Sequence, residues 1–286
     1  MYLKEKAYMK RVVTIQDISC VGKCSLTVAL PLISSLGIET AILPTAVLSV
    51  HTQFKDYTCK NLQDEINPIA DSWKANGIDF DGIYTGYLAS GEQIDLVRNF
   101  IKRFDGDEVL KFIDPAMADF GKLYAGFPED FPKEMAKLCG DADVIVPNLT
   151  EACFLTGLEY SEEYDEGFIK KVLKALVDLG VKKYVCLTGV SLNPAKNGFI
   201  GYDIEKDEYF SYEHERMSRS YHGTGDIFSS VAFANLMNGK NIREALKIAA
   251  DFVVLSIRET IENDSEKEYA VDFERVIPEL IEMSKS

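Results

Sequence analysis

A polar segment with two glycines combines the residue types of an anion site with a carboxylate. Residues 222–230 read His-Gly-Thr-Gly-Asp-Ile-Phe-Ser-Ser. Gly223 and Gly225 lack a Cβ, so backbone N–H groups around Thr224 are able to converge on one point, and the helix predicted next offers its N-terminus to an anion. A carboxylate would repel a bound phosphate, so we interpret Asp226 as a base for a substrate hydroxyl. A simple helix cap after a turn is the structural alternative.

Two further acidic groups suggest a divalent cation. Asp114 and Asp119 lie five residues apart directly after a predicted strand, and oxygen ligands of this kind suit Mg²⁺. Asn148 and Glu151 open a predicted helix, where their spacing places them on one face. An N-cap with an acid in the first turn explains that pair in isolation. Beside Asp114, Glu151 becomes a candidate for holding the metal or its water molecules.

Several other polar residues follow predicted strands. Thr188 and Gly189 offer a hydroxyl and a close-approach glycine to a phosphate oxygen, although a plain strand-to-turn transition explains them too. His51 lies in a loop and not on an apolar face, which favours substrate contact. Lys23 could meet a phosphate or lie in solvent, and the sequence leaves both interpretations open.

The elements that must position these groups alternate between strand and helix. Strands are predicted at residues 11–15, 39–47, 82–84, 109–113, 144–146 and 184–187. Helices are predicted at residues 26–36, 61–76, 93–104, 149–156, 166–179, 227–237, 242–263 and 273–283. This order predicts an α/β fold with a doubly wound, mostly parallel sheet flanked by helices, and residues 198–212 predict a small β-hairpin excursion.

In such sheets ligands bind beyond the carboxyl ends of the strands. Polar residues follow six predicted strand ends: Gln16 and Asp17, His51 and Thr52, Tyr87, Asp114, Asn148 and Glu151, and Thr188 and Gly189. One such loop would mean little, but six at one edge predict a single site.

Composition narrows the possible partners. The 286 residues carry a formal net charge of −15, which argues against binding to nucleic acid or to an anionic membrane. The six cysteines show no C-x-x-C pair, and the charged N-terminal residues contain no apolar stretch typical of a signal peptide. We expect one cytoplasmic domain over residues 1–286 with reduced thiols.

Together these groups predict phosphoryl transfer from a nucleotide to an alcohol. Asp226 would accept the hydroxyl proton while the amides of residues 223–225 neutralise charge on the transferring group. Mg²⁺ near Asp114 and Glu151 would bridge the nucleotide phosphates.

The chain resembles the pyridoxal kinase branch of the ribokinase-like superfamily, which also holds hydroxymethylpyrimidine kinases. The resemblance runs from about residue 11 to about residue 255 and rests on ordered motifs. These are His222-Gly223-Thr224-Gly225-Asp226 for G-x-G-D, Asp114-Pro115-x-Met117-x-Asp119 for D-P-V-(M/L)-G-D, Pro147-Asn148-x-x-Glu151 for N-x-x-E, a phosphate threonine at Thr188, His51-Thr52-Gln53-Phe54 for H-T-Q-(Y/F), and Thr85-Gly86-Tyr87-Leu88 for S-G-Y-L.

The resemblance implies roles for these positions. Asp226 would be the base and residues 223–225 the anion hole. Metal and nucleotide contacts would come from Asp114, Asp119, Asn148, Glu151, Thr188 and Gly189. The vitamin site would be lined by Asp17, His51, Thr52 and Tyr87. ATP, Mg²⁺, a monovalent cation such as K⁺ and a homodimer are implied as well, and the expected substrate is a B6 vitamer phosphorylated at its 5′-hydroxymethyl group.

The loop after the first strand departs from this pattern. Many pyridoxal kinases have Ile-Gln-Ser where this chain has Ile15-Gln16-Asp17, and the acid is similar to that of hydroxymethylpyrimidine kinases. The glycine-rich tract of those enzymes is replaced by Cys20-Val21-Gly22-Lys23. A hydroxymethylpyrimidine kinase is therefore the nearest alternative. A non-catalytic nucleotide or vitamin sensor and a sugar kinase are the others, and an intact Asp226 argues against a mere sensor.

Overall fold

The structure, a computed structural model, describes residues 8–52, 54–219, 221–263 and 270–285. Its centre is a nine-stranded sheet, and two short strands form a separate sheet. The strands are β1 (Arg11–Ser19), β2 (Glu39–Leu48), β3 (Cys59–Asn61), β4 (Gly82–Thr85), β5 (Leu110–Ile113), β6 (Ala118–Asp119), β7 (Lys122–Leu123), β8 (Val144–Ile145), β9 (Tyr184–Thr188), β10 (Lys196–Asp203) and β11 (Glu208–Glu215).

The main sheet has the order β11-β10-β9-β8-β5-β4-β1-β2-β3. Every pair from β9 to β2 is parallel, while β10, β11 and β3 add antiparallel strands at the two edges. The prediction of a doubly wound, mostly parallel sheet is confirmed. The predicted hairpin forms β10 and β11, and it extends the main sheet because β10 pairs with β9.

Helices cover both faces of the sheet. They are α1 (Leu26–Ser35), α2 (Gln63–Ala75), α3 (Gly91–Phe104), α4 (Phe131–Gly140), α5 (Leu149–Thr156), α6 (Glu166–Val177), α7 (Thr224–Met237), α8 (Ile242–Glu262) and, after a 3-10 turn at Phe273–Val276, α9 (Ile277–Lys285). Two apolar clusters result: α2 to α6 pack on one face, and α1, α7, α8 and the C-terminal helices on the other.

Helix α7 is buried around its circumference. Ten of its residues are buried, among them Ile227, Phe233 and Met237. A helix that is apolar on all sides belongs in a core, where neighbours prevent it from tilting or shifting. Its first turn, which carries Asp226, is therefore held against the sheet by apolar packing and not only by local capping.

The first strand is longer than predicted. Gln16 and Asp17 were expected in the loop after β1, but the strand continues through them to Ser19. The pairing register with β2 shifts between Gln16 and Ile18, so the strand carries an irregularity at this point. Both polar side chains are buried, Gln16 at 0% and Asp17 at 4% exposure, and they form hydrogen bonds with Thr14 and Ser19.

None of the helices in the described residues is long and apolar enough to cross a membrane.

Candidate active site

The carboxyl ends of the parallel strands are joined by consecutive backbone hydrogen bonds. Gly86 N donates to Ile15 O, Asp114 N donates to Thr85 O, and Thr188 N donates to Pro147 O, at 3.3, 2.9 and 2.9 Å. The polar residues that follow β1, β4, β5, β8 and β9 therefore lie side by side in sheet order. This row forms the floor of the candidate site.

Three carboxyl groups stand close together over the middle of this row. Burial, and after it the charge of the nearby Asp114, raise the pKa of Asp226 to about 7. Burial also raises the pKa of Asp114, and burial together with Asp114 raises the pKa of Glu151 well above its usual value. Three acids that disfavour each other's ionisation form a site that a cation would neutralise.

Asp114 is held by a residue from another element. Ser229, on α7, donates a hydrogen bond of 2.6 Å from its Oγ to Asp114 Oδ2. Asp114 is 7% exposed and Ser229 is 1% exposed, so this bond is protected from water. It fixes the carboxylate at the end of β5 relative to the helix that carries Asp226.

Asn148 and Glu151 form a reciprocal capping box at the start of α5. Glu151 N donates to Asn148 Oδ1 and Asn148 N donates to Glu151 Oε2, both at 2.9 Å. Glu151 Oε1 also accepts from Met117 N at 3.1 Å, and Asn148 Nδ2 donates to Ala118 O at 2.8 Å. The pair thus performs the capping that its spacing predicted and in addition secures the segment after Asp114.

The loop before α7 offers the backbone of an anion site. Gly223 is the N-cap of α7 and has a positive φ of 79°. A Cβ at Gly223 would lie 2.3 Å from Lys23 O, so this position requires glycine. At Gly225 a Cβ would meet no atom of the described residues within 4 Å. The space above Gly225 is therefore open to a ligand that approaches the first N–H groups of the helix.

The residues fit a magnesium ion bound together with a nucleotide. Among the described residues, no group of three or more His, Cys, Asp or Glu side chains could hold a metal ion alone. Mg²⁺ commonly uses only one or two carboxylates and completes its shell with water and phosphate oxygens. Asp114 has one oxygen engaged by Ser229, and both Glu151 oxygens accept backbone N–H groups. Asp114 is therefore the better direct ligand, and Glu151 the better outer neighbour.

The β1 end of the row forms a second, partly aromatic region. Burial raises the pKa of Asp17, whose Oδ2 accepts a hydrogen bond of 3.0 Å from Ser19 Oγ. The phenol of Tyr87 lies near this carboxyl group, and its pKa is raised to about 12, first by burial and then by the charge of Asp17. His51 is buried and its ring lies 6.2 Å from that of His222, whereas Thr52 is exposed. Gln53 lies outside the described residues.

The β8 and β9 end of the row forms the opposite region. Thr188 pairs with Asn148 in an isolated parallel bridge, and Gly189 follows with a φ of 69° and no atom of the described chain within 4 Å of an added Cβ. Asp119 is exposed at the end of β6, where its Oδ1 accepts a hydrogen bond of 2.9 Å from Phe120 N. The candidate residues thus occupy one continuous row, with Asp119 at its rim.

Three residues of the site escaped the sequence analysis. Ser229 contacts Asp114, and the backbone N–H of Ser25 stabilises the ionised form of Asp226. The third is Tyr124, whose pKa is raised first by burial and then by four nearby acids. Only Ser229 had a sequence signal, because it follows Asp226 by three residues on a predicted helix. Lys23, for which the sequence allows either phosphate contact or solvent, pairs instead with Asp272 and Glu274.

Comparison with known proteins decides the family. The profile described as phosphomethylpyrimidine kinase matches residues 33–270 of this chain. The chain belongs to the phosphomethylpyrimidine kinase family. The expected relation to pyridoxal and hydroxymethylpyrimidine kinases is thereby confirmed, and with it the class of phosphotransferases that act on an alcohol group.

Individual members of the family support this result. Pyridoxine kinase of Bacillus subtilis is 31% identical over 186 residues, which cover 65% of this chain and 66% of that protein. A protein of Bacteroides thetaiotaomicron assigned to phosphomethylpyrimidine kinase has a crystal structure with a TM-score of 0.92 and 36% identity, covering 98% of this chain and 96% of that one. Pyridoxal kinase of Lactobacillus plantarum has a TM-score of 0.89 at 26% identity, with coverages of 97% and 99%.

Proposed function

We propose that this kinase transfers the terminal phosphoryl group of ATP to the 5′-hydroxymethyl group of a B6 vitamer. The observation that carries the proposal is the placement of Asp226 in the first turn of α7, with a pKa raised to about 7 and open space over the adjacent Gly225. A base next to an anion site is what transfer to an alcohol requires. The relatives named for pyridoxine and pyridoxal support the vitamer, as does the Bacteroides protein, one crystal form of which was solved with pyridoxal.

The proposed roles follow the row of strand ends. Asp226 accepts the proton of the acceptor hydroxyl, and the amides of Gly223, Thr224 and Gly225 face the transferring phosphoryl group. Asp226 works mainly by orientation, because in a loose transition state the proton leaves late. When bound, Mg²⁺ neutralises charge on the nucleotide phosphates.

The remaining candidates divide between the two ends of the row. Around the metal and phosphates we place Asp114, Asp119, Asn148, Glu151, Thr188 and Gly189. Around the vitamer ring we place Asp17, His51, Thr52 and Tyr87. This division is supported by the distance along the sheet between β1 and β9.

Hydroxymethylpyrimidine kinase activity is the second candidate. The description of the matched family favours it, and the buried carboxyl group of Asp17 is compatible with it. A carboxylate beside a ring nitrogen stabilises a protonated ring or pairs with a ring amino group, so Asp17 suits a pyridine and an aminopyrimidine alike.

We further propose that the chain acts as one kinase domain, since a single nine-stranded sheet carries the whole row. A homodimer, activation by a monovalent cation such as K⁺ and a cytoplasmic location remain predictions. Light scattering of the purified protein tests the dimer, and replacement of K⁺ by Na⁺ in the assay tests the cation.

The test of function is ADP release with pyridoxal, pyridoxine, pyridoxamine and the pyrimidine alcohol, each with Mg²⁺ and ATP. We expect turnover of at least one B6 vitamer and a loss of about 10²- to 10⁴-fold in Asp226→Asn. Asp95→Asn, an exposed acid on α3, is the matched control and keeps full activity. Turnover of the pyrimidine alone would exclude the B6 proposal, and no turnover at all would exclude both.

A further inference from the structure

The loop of residues 20–25, between β1 and α1, has a backbone conformation that needs support. Gly22, Lys23 and Ser25 have φ values of 138°, 52° and 51°. For residues other than glycine a positive φ is sterically unfavourable. Lys23 and Ser25 are such residues, so contacts elsewhere must hold this loop in place.

The loop contacts the site on two sides. A Cβ at Gly22 would lie 2.1 Å from the His51 ring, and the carbonyl oxygen of Lys23 lies against Gly223, the N-cap of α7. The backbone N–H of Ser25 is directed at the Asp226 carboxyl group and stabilises its ionised form. The loop therefore determines where the proposed base lies relative to the proposed vitamer region.

The support comes from the C-terminal part of the chain. Lys23 Nζ lies 2.6 Å from Asp272 Oδ1 and 2.8 Å from Glu274 Oε2, and it donates to Val271 O at 3.2 Å. The Lys23 and Asp272 side chains are only 23% and 18% exposed, so water screens their attraction less than that of a surface pair.

Asp272 is itself fixed to α8. Its backbone N–H donates a 2.8 Å hydrogen bond to Thr260 Oγ1, and the Thr260 hydroxyl donates to Ser256 O within the helix. The ion pair therefore joins the strained loop to the buried helical layer and not to a free chain end.

We propose that Lys23 is a positioning residue for catalysis, and that its ion pair with Asp272 holds the 20–25 loop against Gly223 and Asp226. Lys23 touches neither reactant in this proposal. Lys23 acts through the loop backbone on the position of Asp226. Its kinetic test therefore rests on the proposed kinase function.

The kinetic test compares Lys23→Met, which keeps the unbranched apolar part of the side chain but removes its charged end, with Lys23→Arg. We expect Lys23→Met to lower kcat about tenfold with little change in the KM for ATP, because the base is displaced while the nucleotide end of the row is intact. Lys23→Arg should restore most of the activity, since it re-forms the ion pair. Lys285→Met is the matched control, because it removes an exposed pair with Glu282 from the same C-terminal region.

A partner variant tests the pair itself. Asp272→Asn should lower kcat as Lys23→Met does, and the double variant should lose no more than Lys23→Met alone, because that substitution already removes the contact with Asp272. Additive losses, or equal losses in Lys285→Met, would overturn the proposal.

A second measurement does not depend on activity. Burial and Asp226 raise the pKa of Cys24, within the loop, to about 12, so this thiol reacts slowly with iodoacetamide, whereas Cys59 is exposed and serves as an internal reference. We expect Lys23→Met to raise the alkylation of Cys24 at least severalfold relative to Cys59 in folded protein. An unchanged ratio would overturn the proposal even if the enzyme is active. A raised ratio in a protein that turns over no vitamer would leave the loop assignment standing and refute the proposed function alone.

Discussion

Ser229 Oγ donates a hydrogen bond of 2.6 Å to Asp114 Oδ2, and so connects the helix that carries Asp226 with the end of a central strand. The two acids come from positions 112 residues apart in the chain (226 minus 114). A single hydroxyl one helical turn after Asp226 therefore sets the geometry between the proposed base and the proposed metal ligand.

Ser229→Ala should weaken metal binding. The variant leaves one oxygen of a buried carboxyl group without its donor, which raises the pKa of Asp114 further and lets the side chain rotate. We expect the Mg²⁺ concentration for half-maximal activity to rise about tenfold. Ser230→Ala is the matched control, since that serine is equally buried on the same helix but it is Ser229 that donates to Asp114. Equal effects of the two substitutions would contradict the role of Ser229.

Activity should rise with pH through about 7, where the pKa of Asp226 lies in the free enzyme. A general base works only when ionised, and burial shifts the ionisation of this carboxyl group upward. The measurement is kcat/KM between pH 5 and pH 9, on the order of one reading per half unit, in buffers of constant ionic strength. The residual activity of Asp226→Asn should lack this limb. A wild-type profile that is flat from pH 5 upward would contradict the assignment.

Asp226→Asn should be more stable than the wild type at pH 8. The pKa of Asp226 in the folded state is raised above the unfolded value of 3.8. Between pH 3.8 and about 7 the folded protein therefore holds more protons than the unfolded chain, and the free energy of unfolding falls as the pH rises through this window. The amide removes this penalty, which is on the order of 2 kcal/mol after allowance for the partial opening of the side chain to the cleft.

Thermal unfolding measures this effect. The difference in Tm between Asp226→Asn and the wild type should be a few degrees at pH 8 and should shrink as the pH falls toward 4. The Asp95→Asn variant should show no such pH-dependent gain. A wild type more stable than Asp226→Asn at pH 8 would show that the native site favours the ionised form.

The two glycines before Asp226 should behave differently when replaced by alanine. Gly225→Ala should fold with nearly unchanged Tm, since its Cβ meets open space, but should lose activity because the methyl group enters the space proposed for the phosphoryl group. Gly223→Ala should lose roughly 1–3 kcal/mol of stability, because of its positive φ and its contact with Lys23 O. Thermal unfolding and ADP release, measured on both variants, separate the two effects. A fully active Gly225→Ala would contradict an anion site there.

Local chemistry explains which elements could be predicted from sequence. Helix α5 has the predicted bounds because Asn148 and Glu151 cap its start and Gly157, in the left-handed region, ends it. Strand β1 was predicted too short because Gln16 and Asp17 are polar, and only tertiary burial keeps them in the strand. Short elements such as β3 and β6, of three and two residues, show no alternation long enough to be recognised, and they exist because they pair with β2 and β7.

The role of Lys23 shows a further limit. Its partner Asp272 lies 249 residues away, and a lysine in a loop is compatible with solvent, phosphate or an ion pair. The left-handed conformation of Ser25 was equally unpredictable, because serine seldom adopts it and the surrounding contacts impose it. Sequence thus indicated the groups that would meet at the strand ends, but not the contacts that orient them.

The order of the strand ends has an evolutionary consequence. From β1 to β9 the row crosses four strand spacings, roughly 19 Å in all, and its two ends lie on separate loops. In the proposed division of the site, substitutions after β1 and β2 would therefore alter the ring that is accepted without touching the loops after β8 and β9. A fold organised in this way would let lineages exchange one vitamin precursor for another while the transfer machinery is inherited unchanged.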